Sequence, residues 1–346
     1  MEKVGIGVVG LRFGRVIVKS LLESEAARFF DVKFICDLDR NLAEQVSRSY
    51  GNLPVARDLD TALSDPSVGA VALMTPPAGR AALIRKIVAS DRHVMTTKPF
   101  ERSADEAERA LEEARTRGVA VHLNSPSIRS TPHERQIREW ADQYDLGRVI
   151  GCRADLWAYK PHPADGSWYD DRDACPVAPV YRIGIYLLNE MIDLLGEPES
   201  VTVLHSRILT GRPTPDNGQV GVRFANGALG NVFASFCVAD GQDHRHAMTL
   251  NFERGTVYAN VAAADTPDPE AVTDLRLFRD SSRRWRPETL RILTPSRDSY
   301  DWEAFYNAVH GSDIADDGYR NRILSGIRVV EAMARAEKSG CVEKVR

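Results

Sequence analysis

The residues of this chain that invite chemistry begin at a glycine-bounded turn, Gly10-Leu11-Arg12-Phe13-Gly14-Arg15. It follows the β-branched run Val4–Val9, which reads as a buried parallel strand. Glycine at 10 allows a sharp turn off that strand. A helix behind the turn offers free N–H groups and a positive dipole end to a pyrophosphate. A literal GxGxxG also occurs at Gly5, Gly7 and Gly10, but Gly5 and Gly7 fall inside the strand and cannot form a phosphate turn. In the better-placed turn, Arg12 stands where a second glycine would admit phosphate to the backbone. Either Gly14 takes over in a tightened loop, or Arg12 itself meets the phosphates. The plainer role for Gly10 and Gly14 is to pack strand against helix.

Asp37 closes the next apolar run, where a carboxylate can accept both ribose hydroxyls of an adenosine. It would repel a 2′-phosphate, which favours NAD; Arg40, able to turn toward such a phosphate, keeps NADP open. Thr75-Pro76-Pro77 ends a third run on the same sheet edge, where its backbone can border a nicotinamide ribose.

These turns need a sheet that holds them at one edge. Short apolar runs alternate with helical periodicity as far as residue 124. That alternation predicts an α/β Rossmann domain, a doubly wound parallel sheet over residues 1–124, with its first helix over 14–25. The pattern then changes. A helix over 131–144, a strand over 149–157, a long loop over 160–179, a helix over 181–195, strands between 201 and 261 and helix over 301–338 predict a second domain over 125–346. Its class is α+β, with a large, mostly antiparallel open sheet.

At 346 residues the chain is long enough for two such cores. Its net charge of −4 gives no basic surface for nucleic acid or an anionic membrane. No apolar run approaches the ~20 residues of a membrane helix, and the first residues lack the pattern of a signal peptide. Five scattered cysteines without a CxxC pair argue against a zinc site or a disulfide framework and suit a reducing cytoplasm. His205, His244 and His246 show no metal-ligand spacing, so no metal is expected.

The landmarks together resemble the glucose–fructose oxidoreductase / inositol dehydrogenase family (Gfo/Idh/MocA). Four segments carry the resemblance in order: Gly10–Gly14, Thr75-Pro76-Pro77, the run from His93 to Thr97-Lys98-Pro99, and Arg182-Ile183-Gly184-Ile185-Tyr186 leading to Leu195-Gly196-Glu197-Pro198. The resemblance implies that Lys98 sits beside the nicotinamide and the reacting hydroxyl. It also matches Tyr186 to the tyrosine variant of a motif usually written Asp-x-Gly-x-His. Two departures stand out. Thr97 replaces the usual glutamate before Lys98, and Arg182 replaces the usual aspartate.

Arg182 and Tyr186 are four apart, so a helix places them on one face. Cations near a phenol favour its ionised form. Tyr186 is therefore expected to exchange the hydroxyl proton, assisted by Lys98 and Arg182. An arginine facing the pocket would suit an anionic, sugar-like substrate. Trp168 and Tyr169 could stack on sugar rings, and Asn124 and Asn189 could reach the substrate. The expected function is an NAD(P)-dependent oxidoreductase acting on a hydroxyl or ketone. The competing readings are an NAD-assisted lyase or glycosidase and a non-catalytic NAD-binding sensor. An open sheet face predicts a homodimer or homotetramer.

Overall fold

A computed structural model of the chain describes residues 2–125, 130–240, 245–263, 271–279, 288–294, 300–311 and 317–346. Its first strand, β1 (Val4–Val9), runs straight into α1 (Leu11–Glu23). There follow β2 (Phe30–Cys36), α2 (Arg40–Ser49), α3 (Leu59–Leu63), β3 (Ala70–Leu73), α4 (Arg80–Ala89), β4 (His93–Thr97), α5 (Ala104–Arg117) and β5 (Val121–Ser125). The five strands form one parallel sheet in the order β2-β1-β3-β4-β5. β1 is wholly buried after Val4, as a strand covered on both faces must be.

The second half opens with α6 (Pro132–Gln143), started by a capping box between Thr131 and Glu134. β6 (Val149–Trp157) follows, then α7 (Ile185–Leu195) and the strands β7 (Pro198–Ser206), β8 (Asn217–Phe224), β9 (Leu229–Ser235) and β10 (Arg245–Phe252). The meander continues with β11 (Gly255–Ala263), β12 (Ala271–Arg279) and β13 (Glu288–Thr294). Last come α8 (Trp302–Val309), α9 (Asp317–Ser339) and β14 (Glu343–Lys344). The nine strands form one sheet, β13-β12-β11-β10-β6-β9-β8-β7-β14, antiparallel except where β6 lies parallel to β9. The fold is thus a Rossmann-type parallel sheet plus a mostly antiparallel open sheet.

Contacts divide the chain into two units, 1–128 with 300–324 and 129–299 with 325–346. Sequence pattern alone leaves residues 300–324 in the second domain. Aromatic packing assigns them to the first: Phe30 meets Phe305 at 5.4 Å and Trp302 at 5.6 Å. Trp302 Nε1 also donates to Ser20 Oγ at 3.0 Å, and Tyr306 Oη donates to the Glu2 carbonyl at 2.9 Å. The helix expected over 14–25 begins three residues earlier, because the Gly14 N–H donates to the Gly10 carbonyl at 3.0 Å and closes the first helical ring there. Periodicity also misses β12 and β13 and treats residues 301–338 as one return to helix. Among the described residues no helix is long and apolar enough to cross a membrane.

A polar cluster lies inside the second unit. Glu190 on α7 accepts from His133 on α6 and stands 3.4 Å from His246 Nε2 on β10. All three are buried, as is Glu134. Burial and the charge of Glu190 push the Glu134 carboxyl up to about 7. For Glu190 burial acts upward too, but His133 and His246 outweigh it and hold the carboxyl below the usual range. Since Glu134 binds its proton more tightly in the fold than in the unfolded chain, stability falls as pH rises from about 4.5 to about 7. Glu134→Gln keeps the capping geometry and cannot ionise. We expect its stability relative to the parent to improve between acid and mildly alkaline pH by on the order of 2 kcal/mol. Urea unfolding of both proteins at the two pH values measures this, and a gap that does not change with pH would refute it.

Candidate active site

Three strand ends meet at one edge of the parallel sheet. The Gly10 N–H donates to the Cys36 carbonyl at 2.9 Å, and the Met74 N–H donates to the Val9 carbonyl at 2.7 Å. Gly10 is left-handed, with φ +88°, and a Cβ there would lie 2.9 Å from the Met74 carbonyl carbon and the Thr75 nitrogen. Glycine is therefore required twice, by its dihedral and by the close approach of β3. The turn is a single residue. Arg12, Phe13 and Gly14 are already helical, and the side chains of Arg12 and Phe13 are exposed. Gly14 serves packing: its missing Cβ would meet Val8 Cγ1 at 3.1 Å.

Helix geometry leaves the first N–H groups of α1 without intrahelical acceptors. Asp37 takes one of them. Its Oδ2 accepts from Leu11 N at 2.5 Å and its Oδ1 from Asp39 N at 2.9 Å. The carboxylate is thus anchored to the very turn it flanks. The N–H groups of Arg12 and Phe13 remain directed off the helix end, where an anion fits. Arg40 pairs with Glu44 at 3.4 Å on the exposed face of α2. Such a surface pair is weak and leaves the guanidinium able to turn.

The Thr75-Pro76-Pro77 and Lys98-Pro99 turns follow β3 and β4 and are tied together by a residue that sequence reasoning passes over. Arg80 is buried, with 2% exposure. Its Nη2 donates to the Thr75 carbonyl. Its Nη1 donates to the carbonyls of Thr97 (2.5 Å), Pro99 and Phe100 (3.3 Å). One guanidinium therefore holds the backbone on both sides of Lys98 and fixes it against the end of β3. Glu101, also buried, accepts from Ala81 N at 2.8 Å and caps the start of α4. Thr96 Oγ1 adds a bond to the Leu73 carbonyl at 2.8 Å. Lys98 itself is half-buried, and the Lys98–Pro99 bond is cis. Arg80 shares a buried helix face with Ile84 and Ile87. A charge on an apolar stripe is the signal that could have revealed it. Thr75 Oγ1 is buried with no hydrogen-bond partner among the described residues.

The second unit holds the remaining candidates. Arg182 sits in a π-helical turn, Val180–Gly184, that precedes α7. Gly184 lets that turn press onto β9, since a Cβ there would lie 3.1 Å from Ala234 Cβ. The Arg182 guanidinium lies over the Tyr169 ring at 3.6 Å and near Phe236 at 4.7 Å. Asp170, twelve residues before Arg182, receives Arg212 at 2.6 Å. Lys160, His162, Arg182, Thr210, Arg212 and Phe236 line one cleft. Tyr186 is half-buried against the core of this unit. Trp168 packs on Tyr169 at 4.3 Å and on Tyr181 at 6.3 Å. Asn189 is turned toward α9, where a methyl on Gly326 would approach its Oδ1 to 2.6 Å. The Asn124 side chain and His244 lie outside the described residues. Among those described, no group of His, Cys, Asp and Glu could hold a metal ion.

The architecture and the strand-edge turns are those of a dinucleotide-binding Rossmann fold joined to an open antiparallel sheet. Residues 4–125 match the oxidoreductase family with an NAD-binding Rossmann fold, and residues 135–258 match the GFO/IDH/MocA C-terminal domain. The chain belongs to the GFO/IDH/MocA family. It is 27% identical over 257 residues to scyllo-inositol 2-dehydrogenase (NAD(+)) of Bacillus subtilis, covering 70% of each chain. It is 20% identical over 259 residues to levoglucosan dehydrogenase of Pseudarthrobacter phenanthrenivorans, covering 67% of this chain and 66% of that one. An uncharacterized oxidoreductase of Schizosaccharomyces pombe is matched over only 47% of its length. The match thus spans about half to two thirds of these last two relatives. Two solved structures share the fold over all of this chain: an oxidoreductase domain protein from Kribbella flavida, with TM-score 0.79 at 18% identity over 100% of its length, and levoglucosan dehydrogenase in complex with NADH and L-sorbose, with TM-score 0.77 at 17% identity over 100% of its length.

Replacing Arg80 by Met would strip donors from four carbonyls at once, three of them in buried bonds. We expect Arg80→Met to lose roughly 3 kcal/mol or more of stability, and Arg80→Lys to recover only a fraction, because an ammonium cannot reproduce the planar fork. Urea denaturation decides it, and parental stability in the methionine variant would contradict the account.

Proposed function

We propose that this protein is an NAD(P)-dependent oxidoreductase that interconverts a hydroxyl and a ketone on a sugar-like or polyol substrate bearing an acidic group. The observation that carries the reading is the Gly10 turn. Its left-handed glycine is pressed on β3, helix N–H groups point outward, and Asp37 is fixed beside them. A bare backbone at a helix start is what a pyrophosphate needs, and a fixed carboxylate after β2 is what an adenosine ribose needs. These residues fit a nicotinamide dinucleotide, as does the orphaned Thr75 hydroxyl at the end of β3. The cofactor, when bound, accepts or returns the hydride.

The chain's own residues handle the proton and the orientation. In this reading Tyr186 takes the hydroxyl proton in oxidation and returns it in reduction. Lys98 hydrogen-bonds the same oxygen and stabilises the negative charge that develops on it. Arg182 receives the substrate's acidic group. Asp37 supports NAD as the preferred cofactor, while the loosely paired Arg40 leaves NADP usable.

The test is direct. The protein is titrated with NAD+ and NADP+, then assayed for NADH or NADPH formation on inositols, aldoses and sugar acids. We expect Tyr186→Phe to cut kcat by roughly 10²–10⁴-fold, with KM little changed and one limb of the pH–rate profile lost. Tight nucleotide binding with no turnover on any substrate would instead identify a sensor. Absence of nucleotide binding would remove the reading altogether.

We also propose self-association through the open face of the large sheet. Strand registers align Leu229, Gly151, Asn251, Thr256 and Phe278 in one row across it, with Tyr258 two residues along. Leu229, Tyr258 and Phe278 are 60%, 46% and 40% exposed, more apolar surface than a lone sheet face usually shows water. Light scattering behind size exclusion is expected to report a dimer or tetramer, and Leu229→Glu to shift it toward monomer. A monomeric parent protein would end this proposal.

A further inference from the structure

The chemistry of the Arg182 cleft is one-sided. Lys160, Arg182 and Arg212 line it with cationic donors, Thr210 and Thr214 with hydroxyls and His162 with an imidazole, and no carboxylate is among the lining residues. A neutral hydroxyl both donates and accepts, and cationic side chains answer only its oxygen. Guanidinium and ammonium groups can only donate. An oxyanion, an acceptor that also carries the opposite charge, complements such donors best.

The two arginines are also held in place before any ligand arrives. The Arg182 face is covered by Tyr169, so its polar contacts run along the guanidinium edge, in the plane of the fork. Arg212 is only 8% exposed. Its Nε donates to the His162 carbonyl at 3.1 Å, and its Nη1 reaches Asp170 at 2.6 Å and Asp165 at 3.3 Å. Among the described residues its Nη2 has no acceptor. The loop that presents Arg212, between β7 and β8, is fastened at both ends. Fully buried Asp216 accepts from the N–H groups of Ile208 (2.9 Å), Leu209 (2.7 Å) and Thr210 (2.9 Å). Thr214 Oγ1 donates to the Tyr169 carbonyl at 2.8 Å. The same Tyr169 therefore anchors the Arg212 loop by its backbone and carries Arg182 on its ring.

We infer that Arg182 and Arg212 form a two-arginine oxyanion subsite, which binds a carboxylate or phosphate ester on the sugar-like substrate. This rests on the oxidoreductase reading and adds Arg212, through its Nη2, to the residues that select the substrate.

The test uses the full chain saturated with NADH and calorimetric titration with D-glucuronate, D-glucose 6-phosphate and D-glucose. At least one anion is expected to bind roughly ten-fold or more tighter than glucose, the equivalent of one charge-assisted hydrogen bond. Glucuronate the tighter of the two assigns a carboxylate; glucose 6-phosphate the tighter assigns a phosphate ester. Arg182→Gln should erase the margin, and Arg182→Lys should keep some of it. Arg212→Gln strands Asp165 and Asp170 and can loosen the loop, so it is read only if its melting curve matches the parent. Equal affinities, no binding of either anion, or a margin that survives in folded Arg182→Gln would overturn the subsite. Failure to bind NADH would strike the oxidoreductase reading instead, so the two failures are separable.

Discussion

The tightest constraint in the first unit is the contact between Gly10 and the end of β3. Backbone meets backbone there at a distance no Cβ tolerates, and the residue is left-handed as well. Everything at the sheet edge follows from that approach. Because the turn is one residue long, α1 begins at Leu11 and its first N–H groups face outward from the strand ends. Because β1 and β3 are drawn together, Thr75 lies beside the start of α1. Because Leu11 N is near β2, Asp37 can accept from it and become a fixed anion rather than a mobile one. A methyl group at position 10 would disturb all three relations.

Arg80 performs the matching role at the neighbouring strand end. A buried guanidinium is costly unless its donors are answered, and here the answers are main-chain carbonyls from two separate turns. That arrangement couples the turn after β3 to the turn after β4 without using the side chains of either turn. Lys98 thereby stands on a braced segment. The bracing is local electrostatics in a low-dielectric site, where a satisfied charge is strong and an unsatisfied one is severe.

In the second unit, rigidity comes from a different source. A π turn, a glycine pressed on β9 and an aromatic ring place Arg182, while a buried aspartate and a pair of carboxylates place Arg212. Both arginines are set by neighbours distant in sequence. The His133–Glu190–His246 cluster behind α7 is another such assembly, drawn from two helices and a strand.

Much of this is legible in the residues themselves. The limits of β1 and β6, the strand stop at Thr75-Pro76-Pro77 and the change from parallel to antiparallel architecture after residue 124 are local matters. Side-chain branching, alternation and turn chemistry decide them within a few residues. The family resemblance likewise travels through short ordered segments. Periodicity places the start of α1 three residues late, because it marks the buried face of a helix and not the carbonyl that accepts its first bond. Arg80, the place of residues 300–311 in the first unit, the parallel pairing of β6 with β9 and the turning of Asp170 to Arg212 are not legible. Each is a contact between partners far apart in the chain. Composition and spacing say which residues must be buried or satisfied. Only the folded chain decides by whom, since burial and charge are answered through space and not along the sequence.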